Sequence, residues 1–117
     1  MIYIENLLKI LKKKDINFFT GVPDSILKST NNIFSKMSKN NHIIAANEGN
    51  ALSLGAGYYL ATKKIPLIYF QNSGFGNLIN PLTSMAHKNV YSIPMVFMIG
   101  WRGSPKNKDE AQHILMG

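Results

Sequence analysis

Residues 43–62 read IIAANEGNALSLGAGYYLAT, and how this stretch is divided decides the fold. Residues 42–46 (HIIAA) are a short apolar run suited to a strand. Residues 48–62 are small and apolar over a length suited to a helix. Between them, Asn47-Glu48-Gly49-Asn50 puts one carboxylate where the chain turns from strand to helix. Working outward, INFFTGV (16–22), IPLIYFQ (65–71) and IPMVFMIG (93–100) have the same continuous apolar character, and each leads into glycine or polar residues. The last two begin at or beside a proline, where a strand tolerates one. The segments between them carry helical signals. Ile4, Leu7, Leu8 and Leu11 predict an amphipathic helix over 3–14, with Lys12, Lys13 and Lys14 suiting its C-terminal dipole. Pro23 at a helix start, with Asp24 or Ser25 to cap it, predicts a second helix over 23–38. Ile26, Leu27, Ile33, Phe34 and Met37 would share its inner side. A fourth helix over 76–88 should break or begin near Pro81. Apolar strands alternating with helices predict an α/β fold, a mainly parallel sheet covered on both faces in three layers.

The chain has 117 residues, enough for one domain and one core. It is 45% hydrophobic and 16% charged, and a surface this poor in charge points to partial cover by a partner. The net charge of +7 raises nucleic acid as a ligand, but the lysines gather on the first two helical segments and at helix ends, without interleaved aromatics and with a single arginine. A solvated lysine face is the expectation instead, with no nucleic-acid binding. The absence of cysteine excludes disulfides, thiolate catalysis and cysteine-ligated zinc. No apolar run approaches the roughly twenty residues of a membrane span. The N-terminal segment carries its charges after its apolar part, the reverse of a secretory signal. A soluble, cytoplasmic protein is expected.

In open parallel sheets ligands bind beyond the carboxyl ends of the strands. Those ends here carry the unusual residues: 20–24 (TGVPD), 47–49 (NEG), 71–77 (QNSGFGN) and 100–103 (GWRG). The plain reading of Glu48 is an exposed helix-start carboxylate, stabilised by the dipole. Its neighbours Ala45, Ala46, Gly49, Ala51, Gly55, Ala56 and Gly57 argue otherwise, because they leave room for a neighbouring backbone or a flat ligand. A carboxylate in such surroundings can share a proton with a ring nitrogen. The 71–77 loop presents glycines before a helix, yet neither a GxGxxG after the first strand nor a Gly-Lys-Ser/Thr occurs. It reads as a tight turn that lets a ligand or a neighbouring subunit lie against the peptide plane. Residues 101–117 carry Arg102, Asp109, Glu110, Gln112 and His113, which suit an anionic substrate and proton transfer. His42 and His87 read as structural. No His, Asp or Glu pair has metal-ligand spacing, so no all-protein metal site is expected.

TGVPDS, ANEGNALSLGAGYYLAT, QNSGFGNLINPLTSM, YSIPMVFMIGWRG and DEAQHILMG, in that order over nearly the whole chain, resemble the N-terminal pyrimidine-binding (PYR) domain of thiamine-diphosphate-dependent 2-oxo acid decarboxylases. Within that family they are most similar to the branch acting on phosphonopyruvate. The alpha subunit acting on sulfopyruvate is the near alternative, and a non-catalytic binding or assembly module of the same fold the distant one. Ala111 stands where the family's last motif has proline, a change that should loosen the loop. The resemblance implies that residues 1–117 form a thiamine-diphosphate-binding fold, truncated at its C-terminus. It implies that Glu48 hydrogen-bonds the aminopyrimidine nitrogen of the cofactor and so promotes proton removal from the thiazolium carbon. Asp24 and His113 would assist protonation after CO2 departs. Asn72, Ser73, Gly74 and Phe75 would contact the cofactor, and Arg102, Gln112 and His113 the substrate. The family holds the diphosphate through Mg2+ on a second domain carrying a Gly-Asp-Gly motif. No Gly-Asp pair occurs here. The chain is therefore expected to be a fragment or a separate subunit, inactive alone, that works in a homo- or hetero-oligomer with a diphosphate-binding domain or beta-type subunit.

Overall fold

The four apolar runs assemble into one sheet. In the computed structural model, which describes residues 3–106 and 108–115, strands β1 (Phe19–Gly21), β2 (His42–Ile44), β3 (Leu67–Gln71) and β4 (Val96–Gly100) lie in the order β2-β1-β3-β4 with every pair parallel. Helix α1 (Ile4–Lys13) precedes β1, while α2 (Lys28–Phe34), α3 (Glu48–Thr62) and α4 (Phe75–Pro81) fall between successive strands. A short α5 (Ala111–Leu115) follows β4.

Side chains alternate along β3 and so feed two cores. Leu67 and Tyr69 join Leu11, Ile16, Phe19 and Phe34 on the side of α1 and α2. Ile68 and Phe70 join Ala51, Leu52, Ala56, Leu78, Ala86 and Ile93 on the side of α3 and α4. Each large apolar side chain buried this way contributes on the order of 1.5–3 kcal/mol. The expected three-layer α/β/α fold is present, with β1 and β3 as its two inner strands. The small residues of α3 serve the chain's own sheet more than a neighbour: Ala51, Gly55 and Ala56 are buried, and a Cβ on Gly55 would strike Ile68 and Pro66. Gly57 alone among the α3 glycines faces open space.

Tertiary position overrides local signals at several boundaries. The second helix starts at Lys28 rather than at Pro23, and neither Asp24 nor Ser25 caps it, since its N-cap is Leu27 with no side-chain bond. Asp24 is instead buried, and Ile26, expected on the inner side, is 52% exposed. Strand β2 stops at Ile44 and its residues are only half covered, because it is the sheet's edge. Helix α4 begins at Phe75, one residue before the expected 76, and ends at Pro81. The next five residues, Leu82–Ala86, form a π-helical turn, as suits a proline that lacks a backbone donor.

His42 has the structural placement expected of it, whereas His87 is exposed. His42 Nε2 lies 2.8 Å from the Tyr69 hydroxyl, beside the Phe34 ring. Burial holds the His42 pKa below its usual value and pushes that of Tyr69 up to about 12. His87 is exposed at the end of the π-helical turn, and its Nδ1 accepts the Asn89 N–H at 3.2 Å. Among the described residues no helix is long and apolar enough to cross a membrane.

Candidate active site

Parallel pairing brings the carboxyl ends of all four strands to one edge, and the polar residues picked out in the sequence fall there. Glu48 is the first residue of α3, whose N-cap Asn47 accepts the Asn50 N–H through its side chain at 2.9 Å. The side chain of Glu48 is not the exposed helix-start carboxylate of the plain reading: it is 9% exposed. Its Oε2 accepts from Asn77 Nδ2 at 2.7 Å. On its other side lies Gly74, where a Cβ would overlap the carboxylate. The 71–77 stretch thus forms a 3-10 turn (Asn72–Gly74) leading into α4, shaped around Glu48 with one donor and one missing side chain. The other oxygen, Oε1, is the Glu48 atom nearest to where a Gly74 Cβ would stand.

Asp24 follows β1 and is 6% exposed. Neither of its carboxylate oxygens has a hydrogen-bond partner among the described residues. It sits against the end of β4, where a Cβ on Gly100 would overlap Oδ2. Its backbone carbonyl accepts from Asn31 Nδ2 at 2.8 Å. His113 on α5 is 3% exposed, and its ring Nδ1 is likewise buried without a partner. Burying such groups without a protein partner costs stability.

The remaining predicted contacts are arranged differently. The Asn72 side chain faces protein, with Nδ2 donating to the carbonyls of Arg102 at 3.0 Å and His113 at 3.1 Å. Ser73 Oγ receives a close hydrogen bond from Gln71 Nε2. Phe75 is partly exposed, and its ring packs near that of Phe70. The Arg102 guanidinium pairs with both oxygens of Asp109, at 3.0 and 2.8 Å. Those two hydrogen bonds, followed by the Glu110 N–H, hold the Asp109 carboxyl below the usual carboxylate range. Gln112 is exposed and faces Glu110 at 3.4 Å. Two groupings result: Glu48 with Gly74 and Asn77, and Asn72 with Arg102 and His113. The sequence names Asn77 and Gly100 only as members of the strand-end segments and Asp109 only as a polar residue of the last loop; their pairing with Glu48, Asp24 and Arg102 appears once the chain has folded. Among the described residues no group of three or more His, Asp and Glu could hold a metal ion.

A family profile described as thiamine pyrophosphate enzyme, N-terminal TPP binding domain, matches residues 1–116. The chain belongs to that family. This TPP-binding domain is 37% identical over 117 residues to a phosphonopyruvate decarboxylase from Streptomyces hygroscopicus, all of this chain and 28% of that protein. It is 35% identical over 113 residues to the sulfopyruvate decarboxylase subunit alpha of Methanococcus maripaludis, 97% of this chain and 65% of that subunit. In architecture it resembles benzoylformate decarboxylase from Polynucleobacter necessarius, with a TM-score of 0.70 at 20% identity, covering 84% of this chain and 18% of that one. The TPP-binding domain thus spans a little over a quarter of the phosphonopyruvate decarboxylases it matches.

Proposed function

We propose that this chain is the pyrimidine-binding part of a thiamine-diphosphate-dependent decarboxylase that converts 3-phosphonopyruvate to phosphonoacetaldehyde and CO2. The observation that carries the reading is Glu48, a buried carboxylate with one oxygen fixed by Asn77 and the other bordered by Gly74. That cradle fits a flat heterocycle whose ring nitrogen meets Oε1. When bound, thiamine diphosphate supplies the nucleophilic carbon and the sink for the electrons released with CO2. Glu48 holds a proton toward the aminopyrimidine nitrogen, and Asn77 keeps its carboxylate in plane. Asp24 and His113, buried and without a protein partner, are the groups available to move a proton to the product carbon. Arg102 on the loop after β4, with Gln112 and His113 on α5, would face the substrate, although Arg102 engages an anion only at a site it shares with Asp109.

The diphosphate and its Mg2+ are held, on this reading, by a second domain or a beta-type subunit, in the cytoplasm. The open groove of about 710 Å³ on this chain lies between β2 and α3, lined by Ile43, Ile44, Leu54 and Tyr58, and includes none of Glu48, Asp24 and His113. A groove that lies apart from these three residues accords with a site completed by an opposing surface. A second reading, the alpha subunit of a sulfopyruvate decarboxylase, is favoured by the similarity to separate alpha subunits. The test is CO2 release by the complete protein with thiamine diphosphate and Mg2+, given each acid in turn. A kcat/KM at least tenfold higher for 3-phosphonopyruvate is expected. The opposite preference selects the second reading, and no turnover of either acid overturns both.

A further inference from the structure

The loop after β4 leads into α5, which carries His113, yet the imidazole Nδ1 has no hydrogen-bond partner of its own. The ring's position is therefore set through the backbone, and one residue outside the loop dominates there. Asn72, 6% exposed in the turn after β3, donates from Nδ2 to the carbonyls of Arg102 at 3.0 Å and His113 at 3.1 Å. Its Oδ1 accepts the Arg102 N–H at 3.1 Å. Two carbonyls on one side and an N–H on the other fix which end of the amide is which. A single side chain thus joins the start of the loop to its end. The loop reinforces this closure from within: Arg102 grips Asp109. Gly103, at φ +68°, brings its backbone against His113, where a Cβ would come within 2.7 Å of the His113 carbonyl carbon.

We propose that Asn72 is a positioning residue that sets where the His113 imidazole stands by clamping both ends of the β4–α5 loop. The inference rests on the proposed function for what His113 does there, and it removes Asn72 from the set of cofactor contacts. Both donors of the amide and one acceptor site of its oxygen are already engaged, which leaves no N–H for a ligand. The β3 turn that shapes the Glu48 cradle is then the same turn that holds His113, so one short segment registers both groupings.

The test uses the complete protein with Asn72→Ala and Asn72→Asp, the second retaining the acceptor for Arg102 N–H but losing both donations. Amide hydrogen exchange across 101–115 should accelerate at least tenfold while β3 and β4 stay within threefold, and the His113 ring NMR signals should shift. The kcat should fall about a hundredfold, the scale of a misplaced catalytic group, with KM and thiamine diphosphate affinity within threefold. In a His113→Ala background, Asn72→Ala should add less than threefold, because the two act as one unit. A loss of cofactor affinity with unchanged loop exchange would make Asn72 a direct contact and overturn the proposal. Exchange rising evenly through every strand, or additive losses in the double variant, would do the same by making it an ordinary core residue. The exchange and NMR readouts need no turnover, so a protein that decarboxylates neither acid fails the proposed function while still deciding the clamp.

Discussion

Glu48 and Gly74 lie far apart in sequence and act as one feature: a carboxylate, and the space a methyl group would otherwise take from it. The need for glycine at position 74 is steric, not conformational, since Gly74 has an ordinary right-handed backbone at φ −78°. Gly74→Ala should therefore fold. Overpacking of this kind costs about 1–3 kcal/mol, and the flexible carboxylate moves before the backbone does. Activity in the complete protein should fall on the order of a hundredfold, because a displaced acid-base group forfeits most of its contribution. Thermal melting alongside turnover checks it: a large drop in melting temperature with unchanged activity in the surviving folded fraction would make Gly74 a packing glycine only.

The polar segments define the site at the scale of elements, and there the Arg102–Asp109 pair sets a pH response. The folded-state pKa of Asp109 is depressed, so the pair's stabilisation of the loop is fully present above the unfolded carboxyl value of about 4 and is lost as pH falls below it. Amide exchange in 101–115 should rise relative to the strands as pH falls below about 4. Asp109→Asn should show the faster exchange already at pH 7 and lose the acid-dependent step, whereas an unchanged pH profile in that variant would exclude the pair as its cause. Much of this element-scale picture is legible in the sequence. Apolar runs ending in glycine or polar residues give all four strands, and residues 48–62 give α3 at its observed limits. Burial of Glu48 follows from its small neighbours. The start of α2 is not legible, because local capping preference predicts Asp24 as a cap while the fold buries it against Gly100. Nor is the engagement of Arg102 by Asp109, since a charge chooses its partner only once the loop has closed.

At the scale of the whole molecule, a four-stranded parallel sheet presents a buried glutamate, a buried aspartate and a buried histidine at the edge where its strands end. The chain belongs to the N-terminal TPP-binding family and matches a little over a quarter of the length of its phosphonopyruvate-decarboxylating relatives. The account therefore stands or falls on whether Glu48 faces the cofactor once the site is complete. The decisive measurement is hydrogen–deuterium exchange at the thiazolium carbon of thiamine diphosphate bound to the complete protein, for wild type and Glu48→Gln at one pH, alongside thermal melting. Glutamine keeps an oxygen to accept from Asn77 but cannot carry the negative charge that stabilises a protonated pyrimidine nitrogen. Exchange should slow by about a hundredfold to ten-thousandfold, with stability within about 1 kcal/mol of wild type. Exchange at the wild-type rate in a folded Glu48→Gln protein would contradict the account and leave Glu48 as a buried helix-start carboxylate.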